Sequence, residues 1–204
     1  MAQITHGLRH ILSYSFFYSL LQSIMGSHKL QQNFVVNHVR PFTGMRILDI
    51  GCGPAEILNY LPDVDYVGFD ISNNYIKNAK SKFGSRGKFY CKQIKMEDVD
   101  KLPPFDVVLF LGFIHHLDDD IATDIMRISI KSLKTKGRLL TVDPCFEDGQ
   151  NPIAKFLISN DRGMNVRNAD GYKCLAKKIF KNPVVKIRHR SWIPYTDCFM
   201  ECTK

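Results

Sequence analysis

Residues 45–58, MRILDIGCGPAEIL, constrain the fold of this chain more than any other stretch. Met45 to Ile50 is a short apolar run with an acid, Asp49, near its end, the pattern of a strand buried in a parallel sheet. Gly51 and Gly53 follow at once, and Pro54 to Leu61 reads as a short helix. Strand, glycine turn and helix together let backbone N–H groups approach a ligand with no Cβ in the way. Nineteen residues beyond Gly51, Asp70 follows a second strand, Asp65 to Phe69. An acid at that place is where a ribose diol is held in a nucleotide-type site.

The third position of a G-x-G-x-x-G turn is here Glu56. A carboxylate there repels a pyrophosphate, which disfavours a nicotinamide dinucleotide and favours an adenosine compound without phosphates. S-adenosylmethionine is such a compound.

Taken in order, the chain alternates strands and helices. Leu30 to Val39 reads as a helix leading to Pro41. Asn73 to Phe83 is a helix with Ser72 as its cap and Gly84 as its stop. Lys88 to Lys92 and Phe105 to Gly112 are the third and fourth strands. Asp118 to Leu133 is a helix with acids at its start, as the macrodipole favours, and Arg138 to Val142 is the fifth strand. Helices over Ile153 to Ser159 and Asp170 to Phe180 precede two strands, Pro183 to Arg190 and Tyr195 to Cys202, joined without a helix and therefore paired antiparallel. The expected fold class is α/β: a doubly wound, mostly parallel seven-stranded sheet with an antiparallel last strand and helices on both faces.

Asp49-x-Gly51-x-Gly53, Asp70, Phe105-Asp106-Val107-Val108 and His115-His116, in that order, resemble the motif series of the class I S-adenosylmethionine-dependent methyltransferases, across roughly Phe42 to Val142. The segments DPCF (143–146), DRG (161–163) and IPY (193–195) are similar to those of small bacterial methyltransferases of undefined substrate. The resemblance implies a Rossmann-like domain over 41–204 that binds S-adenosyl-L-methionine and releases S-adenosyl-L-homocysteine. It implies that Asp49, Gly51 and Gly53 cradle the methionine portion, with Asp49 near the ammonium group. Asp70 would accept from both ribose hydroxyls, and only a carboxylate can accept both in a bidentate way. Ile71 would pack on the adenine; Gln93, standing where the family usually has an acid, and Ile94 would meet its edge. Leu111 and Gly112 would offer a backbone carbonyl to the ammonium group. His115 is the expected base or substrate orienter, because a neutral imidazole accepts a proton near pH 7; both histidines could equally be structural turn residues. Asp143, a second catalytic candidate at the end of the fifth strand, forms with Arg162, Arg167 and Tyr195, the expected substrate contacts, a polar set on segments over the pocket. The arginines could clamp an anionic substrate group, or Asp161 and Arg162 could pair locally.

Composition narrows the rest. At 204 residues, 45% apolar and 24% charged, the chain is of a size and make-up for one soluble domain. Its six cysteines lack zinc-type spacing and fit a reducing cytoplasm. No metal site is expected. Residues 12–25 carry Leu12, Phe16, Phe17, Leu20, Leu21 and Ile24 at helical spacing, so 1–40 is read as a helical segment that lids the pocket. That stretch is too short and too rich in serine for a transmembrane span and lacks signal-peptide features. The formal charge of +8 gathers where no acid stands between Asp170 and Asp197, yet aromatic residues do not interleave with the cations as single-strand binders require. The expected function is methyl transfer to O or N of a small molecule, such as a sugar or polysaccharide precursor. Alternatives are an RNA or protein methyltransferase, which would lack the Asn/Asp-Pro-Pro-aromatic signature at LGFIHH, and a non-catalytic cofactor-binding partner protein.

Overall fold

The computed structural model describes residues 28–161, 163–190 and 194–204. The amphipathic stretch 12–25 and Arg162 lie outside the described residues. Helix α1 (His28–Phe34) runs into a π-helical turn (Val35–Val39), and the core then unfolds as β1 (Arg46–Ile50), β2 (Asp65–Asp70), α2 (Asn73–Phe83), β3 (Gly87–Cys91), α3 (Met96–Val99), β4 (Phe105–Leu111), α4 (Asp119–Ser132) and β5 (Leu133–Phe146). Helix α5 (Pro152–Ser159), the two-residue β6 (Arg167–Asn168), α6 (Ala169–Lys177), β7 (Val184–Arg190) and β8 (Tyr195–Thr203) complete it.

The sheet order is β3-β2-β1-β4-β5-β8-β7, with β6 pairing β5 off that path. Strands β1 to β5 are mutually parallel, and β8 runs antiparallel to both β5 and β7. Strand order reverses between β1 and β4. The carboxyl ends of those two strands therefore flank the crevice where open α/β sheets bind ligands.

Alternation along the strands divides the core. Leu48, Ile50, Val108 and Phe110 pack on the face covered by α3, α4 and α6. Ile47, Val107, Leu109 and Leu140 pack on the other, with Phe34, Val39 and residues of α2. Ser72 caps α2 by accepting from the Tyr75 N–H, and Asp118 caps α4 by accepting from the Ile121 N–H, so both helices start where the polar residues in the sequence place them. The helix expected over 54–61 is only a 3-10 turn, Glu56–Asn59. Ala55 takes a left-handed conformation (φ 57°), which α-helix does not accept. The chain is held down instead by Arg86, whose guanidinium donates to the carbonyls of Leu58, Leu61 and Pro62.

Candidate active site at the carboxyl edge of the sheet

After β1 the chain reverses through Gly51 (φ 75°) and Gly53 (φ 53°), both in the left-handed region. The Gly51 and Cys52 N–H groups donate to the Phe69 carbonyl, tying the turn to β2. Asp70 joins two segments. Its Oδ2 accepts from the Gly53 N–H at 2.9 Å and its Oδ1 from the Ser72 N–H at 2.7 Å. Each carboxylate oxygen accepts more than one hydrogen bond, so both retain capacity for a ligand. Ile71 beside it is 53% exposed, a large apolar side chain left open to solvent at the sheet edge. Gln93 is also exposed, whereas the Ile94 side chain is buried in the core.

Asp49 is buried, with Oδ2 accepting from the Tyr66 hydroxyl at 2.7 Å and Oδ1 lacking any hydrogen-bond partner. Burial pushes its pKa up; the Tyr66 hydrogen bond opposes this and the charge of Asp70 adds to it, leaving it at about 7. An orphaned buried carboxylate oxygen invites a cationic partner. A Cβ on Gly53 would meet nothing within 4 Å, so the space at the turn is open. These features fit S-adenosylmethionine: Asp49 stands where a cation is wanted, and Asp70 carries acceptors beside an exposed apolar side chain.

Across the crevice, Leu111 ends β4 and Gly112 turns the chain (φ 66°), its N–H donating to the Val142 carbonyl. Phe113 then lies against the Gly51 backbone: a Cβ on Gly51 would stand 2.9 Å from Phe113 Cγ, besides being strained by its φ. Gly51→Ala is expected to lower stability by about 1–3 kcal/mol and to weaken cofactor binding at least about tenfold, read by thermal melts and calorimetry.

The sequence expectation turned His115 toward the reacting centre. In the structure the residue is 4% exposed. Its Nδ1 lies 2.7 Å from Asp143 Oδ1 and its Nε2 3.2 Å from Asp161 Oδ1. Burial by itself depresses the imidazole pKa, but hydrogen bonds to the two carboxylates, reinforced by their charges, outweigh it and hold it at about 9. At neutral pH both ring nitrogens therefore carry protons, and neither is free to take one. Burial works against the Asp161 charge, but His115 keeps its pKa below the usual carboxylate range. Asp143 is thus brought together with His115, and its Oδ2 is buried without a partner.

Among the described residues of that polar set, Arg167 and Tyr195 are held in contacts away from the glycine turn. Arg167 donates to Asp119 Oδ1, to the carbonyls of Leu117 and Asn165, and at 3.4 Å to that of Ile114. Tyr195 is buried with Leu157 and Ile158. Sequence reasoning missed Tyr66, which holds Asp49, and Phe113, which covers Gly51. Tyr66 is legible in principle, because it lies two residues before Gly68, the register partner of Asp49, and so on the same face.

Residues 48–139 match the family model of a methyltransferase domain. The chain is 24% identical over 147 residues to a tRNA U34 carboxymethyltransferase of Alteromonas mediterranea, covering 66% of this chain and 42% of that protein. It is 25% identical over 193 residues to a ubiquinone/menaquinone biosynthesis C-methyltransferase of Pseudomonas putida, covering 81% and 71%. The chain spans less than half the length of some curated relatives, as with the 42% above. Among solved structures, a SAM-dependent methyltransferase from Archaeoglobus fulgidus superposes with a TM-score of 0.70 at 17% identity, over 93% of this chain and all of that one. The fold, the motif series and the family match all resemble the class I S-adenosylmethionine-dependent methyltransferases. S-adenosyl-L-methionine is the cofactor of that class.

Among the described residues, no helix is long and apolar enough to cross a membrane, and no group of three or more His, Cys, Asp or Glu is placed to hold a metal ion.

Proposed function

We propose that the protein transfers a methyl group from S-adenosylmethionine to an oxygen or nitrogen of a small acceptor, a sugar or polysaccharide precursor being the class to test first. The observation that carries this reading is the pairing of a left-handed glycine turn with Asp70, whose carboxylate ties that turn to the start of α2. When bound, the cofactor supplies an electrophilic methyl group on its sulfonium, which an acceptor atom attacks in line. The chain's part is to hold cofactor and acceptor at near-attack distance away from water. In this reading Asp49, Gly51, Gly53, Leu111 and Gly112 hold the methionine end, and Asp70, Ile71, Gln93 and the backbone of Ile94 hold the nucleoside. No proton acceptor is assigned to His115, whose ring nitrogens are both engaged. Such a reading suits a neutral amine, whose proton can leave after transfer. Residues 1–40 as a lid and a cytoplasmic setting, in keeping with six free thiols, belong to the same proposal.

An RNA acceptor, as the name of one relative raises, would use the basic carboxyl-terminal stretch. Two cations of that stretch are already engaged: Arg188 and Arg190 both donate to the buried Asp197. The test is transfer of labelled methyl from S-adenosylmethionine to a panel of hydroxylated and aminated metabolites beside unmodified tRNA. Label on a metabolite supports the small-molecule reading. Label on tRNA alone, with binding that falls steeply as salt rises, replaces it.

Asp49 supplies a pH test. Its folded pKa stands above its unfolded value, so the charged form costs stability as pH rises from about 4 through about 7. A bound ammonium group favours that charged form. Cofactor affinity is therefore expected to rise between about pH 6 and 7.5, below the titration of the ligand's own α-amino group at about 8. Asn at position 49 should flatten this rise in calorimetric titrations.

A further inference from the structure

Three elements meet at His115. The 3-10 turn Ile114–His116 follows β4, Asp143 comes from β5, and Asp161 opens the segment between α5 and β6. Described residues of that segment are fastened to the turn at several points. Asp161 approaches His115 Nε2, the Asn165 N–H donates to the His115 carbonyl at 2.9 Å, and Arg167 donates to the Leu117 carbonyl at 2.8 Å. Gly163 packs closely against His115; a Cβ there would stand 2.7 Å from the His115 carbonyl oxygen and collide with the ring. Asp161 Oδ1 also accepts from the Gly163 N–H, so the same carboxylate shapes the loop and grips the histidine.

We propose that His115 is a positioning residue, an imidazolium latch that clamps the 161–167 segment onto the turn beside the cofactor crevice and thereby sets the acceptor side of the site. The geometry engages both ring nitrogens at once: Nδ1 is hydrogen-bonded to Asp143 of the fixed sheet at 2.7 Å, and Nε2 faces Asp161 of the covering segment as an ion pair at 3.2 Å. A neutral ring has one donor and can satisfy only one of the two carboxylates. Loss of the proton therefore removes the Asp161 tie and loosens the segment, which the Asn165 and Arg167 contacts continue to hold. Among the described residues, the charged and titratable groups around the ring are Asp143 from β5, Asp161 from the segment and His116 from its own turn, its ring centroid 4.0 Å away. Tyr172 of α6 and Tyr195 of β8 stand behind the carboxylates, each pushed up in pKa by burial and then by their charges. Arg167 bridges the segment to the turn from β6. Protonation of the ring well above its ordinary range agrees with the geometry. Only the statement of what the segment covers rests on the proposed function; the latch can be tested without methyl transfer, so the two can fail separately.

The test combines imidazole NMR with amide hydrogen exchange on the full chain and its Asp161→Asn and Asp161→Glu variants. In the wild type both His115 ring N–H protons are expected at pH 7.5, with a midpoint near pH 9. Protection of the Gly163 and Asn165 amides, corrected for intrinsic exchange, should fall across the same interval while β1 and β4 stay protected. In Asp161→Asn the midpoint should drop by at least about one unit, the two amides should exchange about tenfold faster at pH 7.5, and the alkaline step should vanish. Asp161→Glu should restore part of both. S-adenosylhomocysteine affinity should change less than about threefold, since neither Asp161 substitution touches the glycine turn. A neutral His115 at pH 7, or protection in 163–165 indifferent to pH and to residue 161, would overturn the latch.

Discussion

Asp70→Ala is expected to reduce S-adenosylmethionine affinity by at least about a hundredfold while leaving a folded protein. Two effects compound. The carboxylate is the acceptor assigned to the ribose hydroxyls, and it also receives the Gly53 and Ser72 N–H groups at 2.9 and 2.7 Å. Alanine leaves both backbone donors to solvent and frees the glycine turn from the start of α2. Because Asp70 is only half-buried, water can replace the lost acceptor in the free protein, and the stability loss should stay near 1–2 kcal/mol. Binding is hit harder than stability because the ligand needs the turn and the acid together. Asparagine at 70 should fall between, since it keeps one acceptor oxygen. Calorimetry and a melt on the same samples separate the effects; unchanged affinity in Asp70→Ala would remove this residue from the site.

Asp143→Ala is expected to have the largest effect on stability, roughly 3–5 kcal/mol. Asp143 is 1% exposed and accepts from both the His115 N–H and its imidazole Nδ1–H. Removing one partner of a buried pair leaves the other without compensation. For a chain of this size the melting temperature should fall by roughly 10 °C. The pH dependence follows from the histidine, whose pKa in the folded state is raised to about 9. Such a group contributes stability that is fully present below its unfolded value of about 6.5 and is lost as pH rises through about 9. The deficit of Asp143→Ala should therefore be greatest near pH 6 and narrow toward pH 10. A deficit that stays constant from pH 6 to 10 would show that the ring is neutral throughout.

The proposed cofactor half of the site was more legible in the sequence than the acceptor half, for a physical reason. Asp49, Gly51, Gly53 and Asp70 lie on two neighbouring parallel strands and one turn, and their chemistry is local: positive φ calls for glycine, and an acid at a strand end declares itself. The pairing of His115 with Asp143 and Asp161 depends on which strand ends lie side by side, which spacing along the chain does not encode. Arg167 looked available for an anion but is consumed by Asp119 and three backbone carbonyls, partners supplied by the start of α4 and its neighbouring turns. The acid-free basic stretch changed its meaning through register. Asp197, just beyond it in sequence, faces Arg188 across the β7–β8 hairpin and also binds Arg190. The two-residue β6 has no periodic signal because it is too short to show one. The abbreviated helix after Gly53 failed on one residue, Ala55, whose left-handed backbone nothing in its side chain announces.

The most direct measurement is calorimetric titration of the purified protein with S-adenosylmethionine, S-adenosylhomocysteine and NAD at one pH and salt. Micromolar binding of the first two, with none of NAD, is the expected result. Binding of NAD alone, or of none of the three, would contradict the assignment of the glycine turn and Asp70 to an S-adenosylmethionine site.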